Sequence, residues 1–200
     1  MTSNPKINSI LDEANRLFLI GKLQEAIFYY DKILEENPNH LGCLNNKGYA
    51  LSKLKDYDSA LQCYNTALKL NPNDLPVLVN RISSLRKKGD LIEALSNCDL
   101  ILESNPNYNI ALYHKERILL SMKKYEESVV CCNKILKDYP NNGDVLFDKS
   151  CNLVMLSKLD EALDNLENSI SQGTQYKIKA EKSKFFEKIN NNQRFQRLIL

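Results

Sequence analysis

Four prolines of this 200-residue chain lie 34 residues apart: Pro38, Pro72, Pro106 and Pro140. A column of small residues keeps the same spacing twelve positions earlier and continues into a fifth unit, as Ala26, Ala60, Ala94, Ser128 and Ala162. A third, aliphatic column consists of Leu34, Leu68, Leu102, Leu136 and Ile170. Three columns that share one period indicate an array of five stacked repeats.

The pattern within each repeat predicts two helices joined by a short turn. In the second repeat, apolar and small residues recur three or four positions apart on both sides of Lys55-Asp56. Asn71-Pro72 ends the second helix, because the residue before a proline is pushed out of the α region. Equivalent inter-helix turns are expected at Gly21-Lys22, Gly89-Asp90, Lys123-Lys124 and Ser157-Lys158. Six glycines and six prolines are also too few for the turns of a many-stranded β fold.

The predicted unit is a helical hairpin of 34 residues that has a small residue four positions before an aromatic one and a closing proline. This pattern resembles the tetratricopeptide repeat (TPR). The step occurs as Ala26–Tyr30 and Ala60–Tyr64, and in altered form as Ala94–Cys98, Ser128–Cys132 and Ala162–Leu166. The resemblance spans roughly Ile7 to Gln175 and implies an all-α, right-handed α-solenoid with a C-terminal capping helix. The expected boundaries are a lead at 1–6, repeats at 7–40, 41–74, 75–108, 109–142 and 143–176, and a capping helix and tail at 177–200.

The chain departs from the TPR pattern at two positions of the first helix. The place that favours tryptophan in the family holds aliphatic residues, namely Ile10, Leu44, Leu78, Leu112 and Leu146. The small residue is kept as Ala14, Gly48 and Ser150 but is replaced by Ile82 and Glu116. Because Glu116 faces Ser128, we expect either a looser fourth hairpin or a Glu116 side chain turned toward solvent.

The segment after the fifth repeat carries its own amphipathic pattern. Ile178, Phe185, Phe186 and Ile189 share one helical face, and Asn190-Asn191-Asn192 interrupts it. The last repeat needs a cover for its apolar side, so this segment is expected to cap the array. For Gln193–Leu200 we favour folding back onto the cap over contact with a partner.

Resemblance to TPR proteins implies that the first helices line a concave surface that binds peptides or partner domains. Corresponding positions give the candidate groove residues Asn15, Asn46, Tyr49, Lys53, Asn80, Arg86, Lys87, Tyr113, His114 and Arg117. Asn46 and Asn80 match an asparagine ladder that some members use, since a carboxamide can pair with any peptide backbone. The abundance of asparagine in this chain is the competing explanation. If the ladder binds ligand, replacing both by alanine should weaken binding and leave stability nearly unchanged.

The family's carboxylate clamp for chaperone tails is disfavoured. Its five positions hold Leu11, Asn15, Asn46, Pro76 and Asn80, so the asparagines match and the three cations are missing. Starting one repeat later gives Asn45, Tyr49, Asn80, Ile110 and His114, which fits less well. The basic and aromatic candidates favour peptides with acidic and apolar side chains, although a merely solvated basic face explains the same residues.

No motif for catalysis, a cofactor or a metal is visible, so we expect a protein that is not an enzyme. The six cysteines have no CxxC spacing and only two histidines exist, which indicates buried, reduced thiols in the cytoplasm or nucleus. A net charge of +2 argues against nucleic acid, and no apolar run is long enough to span a membrane. The predicted function is an adaptor that binds a peptide or partner domain in its groove. The alternative is a structural subunit that docks through the array edge and the tail, 195–200.

Overall fold

The structure is a computed structural model that describes residues 5–200, and these residues form twelve α-helices, one 3-10 helix and no β-strand. Most of the expected lead, 1–6, lies outside the described residues, and the first helix begins within it, at Pro5. The α-helices are α1 Pro5–Leu19, α2 Leu23–Glu36, α3 Leu41–Lys53, α4 Tyr57–Leu70, α5 Leu75–Lys88, α6 Leu91–Ser104, α7 Asn109–Ser121, α8 Tyr125–Asp138, α9 Gly143–Met155, α10 Leu159–Gln172, α11 Gln175–Glu181 and α12 Gln193–Ile199. The 3-10 helix, Lys184–Ile189, lies between α11 and α12.

The chain divides into two compact units, and the boundary between Asn97 and Cys98 falls inside α6. In the first unit, α1 pairs with α2 and α3 with α4, and each pair packs against the next first helix. In the second unit, α7 pairs with α8 and α9 with α10 in the same manner. Neighbouring first helices also touch, α3 with α5 in one unit and α7 with α9 in the other.

The column of small residues lies at the contact between paired helices. Ala26, Ala60, Ala94, Ser128 and Ala162 are all fully buried. Gly48 on α3 likewise allows close contact with α4, since a Cβ atom at this position would lie 2.6 Å from the ring of Tyr64. The hairpins therefore depend on small side chains that allow the two helices to approach.

The turns between paired helices are confirmed, and their backbone is left-handed at a 34-residue spacing. The residues with positive φ are Gly21 (80°), Lys55 (67°), Gly89 (102°), Lys123 (61°) and Ser157 (59°). Glycine adopts this conformation without a steric penalty, whereas other residues are strained by about 1–2 kcal/mol. Three of the five turns therefore carry a strained residue.

Replacing Lys123 by glycine is expected to raise the free energy of unfolding of the second unit by roughly 0.5–1 kcal/mol, because the relieved strain exceeds the entropy that glycine loses. Lys124→Gly is the matched control, since Lys124 has an ordinary negative φ of −89°. That variant should not gain stability. Urea unfolding of both variants measures the difference. An equal decrease in the free energy of unfolding for both variants would contradict the strain argument.

Glu116 is fully buried, so the expected turn toward solvent is wrong, and α7 and α8 pack as a regular pair. The hydroxyl of Ser128 donates to the Glu116 backbone carbonyl at 2.9 Å. The Glu116 carboxylate lies 3.9 Å from the sulfur of Cys132. Cys132 stands where the second repeat has the ring of Tyr64, so a smaller residue on α8 leaves room for the larger one on α7.

The C-terminal segment covers the last repeat, but it is not the single capping helix expected after residue 176. α11 begins at Gln175 and ends at Glu181, and the 3-10 helix follows after Lys182-Ser183. Phe186 and Phe195 are buried with ring centroids 5.3 Å apart, and Phe186 contacts the Phe147 ring at 5.8 Å. Gln193–Leu200 therefore folds back, as expected.

Candidate functional site

In the first unit, carboxamides join the three first helices. Asn15 on α1 accepts hydrogen bonds from the buried Tyr30 hydroxyl (2.8 Å) and from Asn46 on α3 (3.2 Å). Asn45 donates to Asn46 at 3.5 Å and accepts from Asn80 on α5 at 2.9 Å. The structure thus brings the predicted Asn15, Asn46 and Asn80 into one row, which we call the asparagine row: Asn15, Asn46, Asn45 and Asn80.

These bonds change the expectation that the asparagines contribute little to stability. Asn46→Ala should lower the free energy of unfolding by about 1 kcal/mol, because it removes hydrogen bonds between α1 and α3. Asn133→Ala, at an exposed position of α8, is the control and should change it by less than about 0.5 kcal/mol. Thermal unfolding compares the two, and identical transitions would show that the row is not structural.

A basic cluster of Lys53, Arg86 and Lys87 lies at the ends of α3 and α5. Burial, and then the charges of Lys53 and Arg86, lower the pKa of Lys87. The Lys53 ammonium lies 5.3 Å from the ring centroid of Tyr49, which contacts Phe18 with ring centroids 5.5 Å apart. This end of the first unit therefore combines positive charge with partly buried aromatic rings.

In the second unit, α7 places Tyr113 and Arg117 together. Arg117 donates to the Tyr113 hydroxyl at 2.8 Å, and its guanidinium lies 5.5 Å from the Tyr113 ring centroid. The neighbouring His114 is buried, with 9% exposure, so it is not part of an open surface. Of the three candidates on α7, Tyr113 and Arg117 are therefore the accessible ones.

Asp148 on α9 and Lys179 on α11 complete this cluster, which sequence reasoning did not select. Arg117 Nε lies 3.6 Å from Asp148, and Lys179 lies 3.9 Å from it and 4.1 Å from the Phe147 ring centroid. A cavity of about 520 Å³ is lined by Arg117, Phe147, Asp148 and Lys179. The signal for Asp148 was its place in the 34-residue column of Asn46 and Asn80, whereas Lys179 lies in the segment interpreted only as a cap.

Asp148 is an acid held in the protein interior, with 4% exposure. Burial raises its pKa, which Arg117, Lys179 and a hydrogen bond from Glu116 partly offset. Because the folded-state pKa lies above the unfolded one, Asp148 stabilises the fold fully at acid pH, and this contribution is lost as pH rises through the folded pKa.

Asp148→Asn should therefore raise the free energy of unfolding at neutral pH, by roughly 1 kcal/mol, since it removes a poorly solvated charge. The gain should shrink as the pH is lowered toward the ordinary carboxyl pKa of about 3.9. Asp144→Asn removes an exposed charge from the same helix and is the control, and it should not raise the free energy of unfolding at neutral pH. Chemical denaturation at several pH values measures both variants. A wild type that is more stable than Asp148→Asn at neutral pH would contradict the argument.

The cysteines are buried, which makes them weak nucleophiles. Burial raises the pKa of Cys43 to about 11 and raises those of Cys63, Cys131, Cys132 and Cys151 as well. In residues 5–200, no three His, Cys, Asp or Glu side chains are grouped to hold a metal ion. No helix in the same range is long and apolar enough to cross a membrane.

Two segments of the chain match the sequence signature of the tetratricopeptide repeat, at residues 43–74 and 17–40. They coincide with the second hairpin and most of the first. The chain contains tetratricopeptide repeats. The predicted fold class, all-α with TPR-like helical hairpins, is confirmed.

Solved structures share the fold of this TPR protein at low sequence identity. A TPR protein from Parabacteroides merdae ATCC 43184 is 19% identical with a TM-score of 0.82, over 98% of this chain and 78% of that one. A MamA fragment from Desulfovibrio magneticus RS-1 is 18% identical with a TM-score of 0.78, over 91% and 100%. YrrB, described as a TPR protein with an unusual peptide-binding site, is 19% identical with a TM-score of 0.69, over 87% and 91%. No curated protein matches the sequence. The fold is that of a protein-interaction scaffold, and TPR proteins are generally not catalysts.

Proposed function

We propose that this TPR protein is a non-catalytic adaptor that binds a peptide or a partner domain on the faces of its first helices. The observation that carries the proposal is the placement of charged and aromatic side chains on those helices. In the first unit they are Tyr49, Lys53 and Lys87, and in the second they are Tyr113 and Arg117. Aromatic and arginine side chains are frequent anchors of protein interfaces.

The asparagine row supports binding of an extended backbone even though its members bond to one another. A carboxamide has two donor hydrogens and an oxygen with two lone pairs. The bonds of Asn80 and Asn46 described above leave one donor hydrogen on each amide for a ligand. The row would therefore present groups that are already oriented by their neighbours.

The charge of the candidate surfaces favours a partner with acidic and apolar side chains. Lys53, Arg86 and Lys87 repel one another enough to affect the pKa of Lys87, and an acidic group between them would relieve that repulsion. YrrB, which shares the fold, is described as binding peptide at an unusual site. The adaptor would act in the cytoplasm or nucleus, where buried thiols stay reduced.

The structural alternative depends on a tail that is free to dock. Phe195 is 1% exposed, and Leu198 and Ile199 pack against the same core, so most apolar side chains of the tail are already engaged. This packing removes apolar surface that the alternative requires, and we favour the adaptor.

Proximity labelling in cells tests the proposal, with the wild type compared to Asn46→Ala/Asn80→Ala and to Arg117→Ala. A variant with Asn133→Ala and Asn168→Ala, both exposed on second helices, is the matched control. We expect the same partners for the wild type and the control, and their loss from at least one first-helix variant. Retention of every partner by both first-helix variants, at equal protein levels, would reject the proposal.

A further inference from the structure

The cavity of about 520 Å³ in the second unit is bounded by α7, α9, α11 and the start of the 3-10 helix, which carry different chemistry. α7 contributes Arg117, α9 contributes Phe147 and Asp148, and α11 contributes Ile178 and Lys179. Ile178 is 54% exposed although it is aliphatic, and it stands at the cavity. Lys182 and Phe185 line the space after α11. We call this space, with its three cations, one buried acid and apolar walls, the α11 cavity.

The charges at the α11 cavity are only loosely paired. Lys179 lies 3.8 Å from Asp144 and 3.9 Å from Asp148, and Arg117 Nε lies 3.6 Å from Asp148. All three separations exceed the length of a good hydrogen bond. The Oδ2 atom of Asp148 is buried and makes no hydrogen bond. Lys179 and Arg117 thus keep donor capacity for an anion that can approach more closely than Asp148 does.

Asp148 would repel such an anion unless it becomes neutral. Burial favours that change, because it opposes the charge of Asp148 more strongly than Arg117, Lys179 and the hydrogen bond with Glu116 support it. The titratable and charged groups around it are Arg117, Tyr113, His114 and Glu116 on α7, Cys132 on α8, Asp144, Lys149 and Cys151 on α9, and Lys179 and Lys182 on or beside α11. The only other acids in this set are Glu116 and Asp144, so the cations can hold one new carboxylate once Asp148 is protonated.

We propose that the α11 cavity binds a carboxylate that adjoins an apolar side chain, with Arg117 and Lys179 holding the carboxylate and Asp148 taking up a proton from solvent as it binds. The apolar group would contact Phe147 and Ile178. This inference rests on the proposed function, since the carboxylate would belong to a bound peptide. It can come from a chain end or from an internal acidic side chain, which the experiment distinguishes.

NMR titration of the full chain with three short peptides tests the site. The probes are acetyl-Gly-Leu-Leu with a free carboxyl end, acetyl-Leu-Glu-Leu-amide, and acetyl-Leu-Gln-Leu-amide as the uncharged control. We expect the Ile178 methyl signals to shift with one or both acids, and the control to bind at least about fivefold more weakly. Affinity for the acid should rise at least about threefold between about pH 8 and about pH 6, because binding takes up a proton.

Three variants assign the effect to residues. Asp148→Asn should bind the acid more tightly at about pH 8 and lose the pH dependence, since it imitates the protonated form. Lys179→Gln should weaken binding several-fold, and Lys188→Gln, an exposed lysine of the 3-10 helix, should not. Equal binding of the acids and the control, or weaker binding by a folded Asp148→Asn, would overturn the proposal.

The test separates this inference from the adaptor function. If no probe binds and the first-helix variants still lose partners in proximity labelling, the carboxylate site is wrong and the adaptor function stands. If the acids bind as expected and all variants keep every partner, the cavity binds carboxylates but the adaptor proposal fails.

Discussion

Phe186→Ala is expected to destabilise the second unit by about 3–5 kcal/mol, the usual cost of removing a large aromatic side chain from a core. Phe186 is fully buried between Phe147 and Phe195, with ring centroids 5.8 and 5.3 Å away. Loss of this ring removes the main aromatic contact of α12 with the core and leaves the exposed Arg194 bonds to Asp164 and Glu167. We therefore also expect rapid proteolytic removal of Gln193–Leu200 from the variant.

The neighbouring Phe185 provides a matched control, because it is the same residue type in the same 3-10 helix but only half-buried at the α11 cavity. Phe185→Ala should cost clearly less, about 1–2 kcal/mol. Chemical denaturation and limited proteolysis compare the two variants. An equal or larger loss for Phe185→Ala, or removal of the tail from the wild type while the rest resists, would contradict the described cap.

Gly48→Ala should destabilise the second hairpin by about 1–3 kcal/mol, although alanine is intrinsically the better helix former. The added Cβ would lie 2.6 Å from the ring of Tyr64, which is fully buried. Gly42→Ala in the same helix is the control, since its Cβ would meet only the His40 ring at 3.5 Å. That variant should be neutral or slightly stabilised.

A second substitution tests whether the Tyr64 contact is the cause. The fifth repeat combines Ser150 with Leu166 at the equivalent positions, so Tyr64→Leu should tolerate a side chain at position 48. The effect of Gly48→Ala should therefore be smaller in the Tyr64→Leu background, a non-additivity that a double-mutant cycle measures. Additive losses would place the strain elsewhere in the hairpin.

The helices and turns followed from the sequence because the repeat imposes the same local rules five times. A proline follows each of the first four second helices. Left-handed turns recur at the predicted 34-residue steps even where lysine or serine occupies them. The burial of Glu116 did not follow, because it depends on the small volume of Cys132 and on the contact with Asp148 in the next repeat. Neither condition is visible from one position alone.

The repeat also predicted part of the candidate site, because equivalent positions of the repeats lie on the same face. The repeat register identified Asn15, Asn46 and Asn80, but their mutual hydrogen bonds depend on distances between helices that a sequence pattern does not contain. Lys179 was missed because the break at Lys182-Ser183 makes α11 a short helix beside α9 rather than part of one long cap. His114 kept the register but is buried against its neighbours.

Lysine footprinting with a captured partner tests most directly that the first-helix faces bind ligand. Methylation of the free protein should label the exposed Lys53 and Lys87 on first helices and Lys179 at the α11 cavity. It should also label Lys69 and Lys134 on second helices. With the partner bound, we predict protection within the first group and unchanged labelling of the second. Protection of Lys69 and Lys134 with full labelling of Lys53, Lys87 and Lys179 would contradict this account.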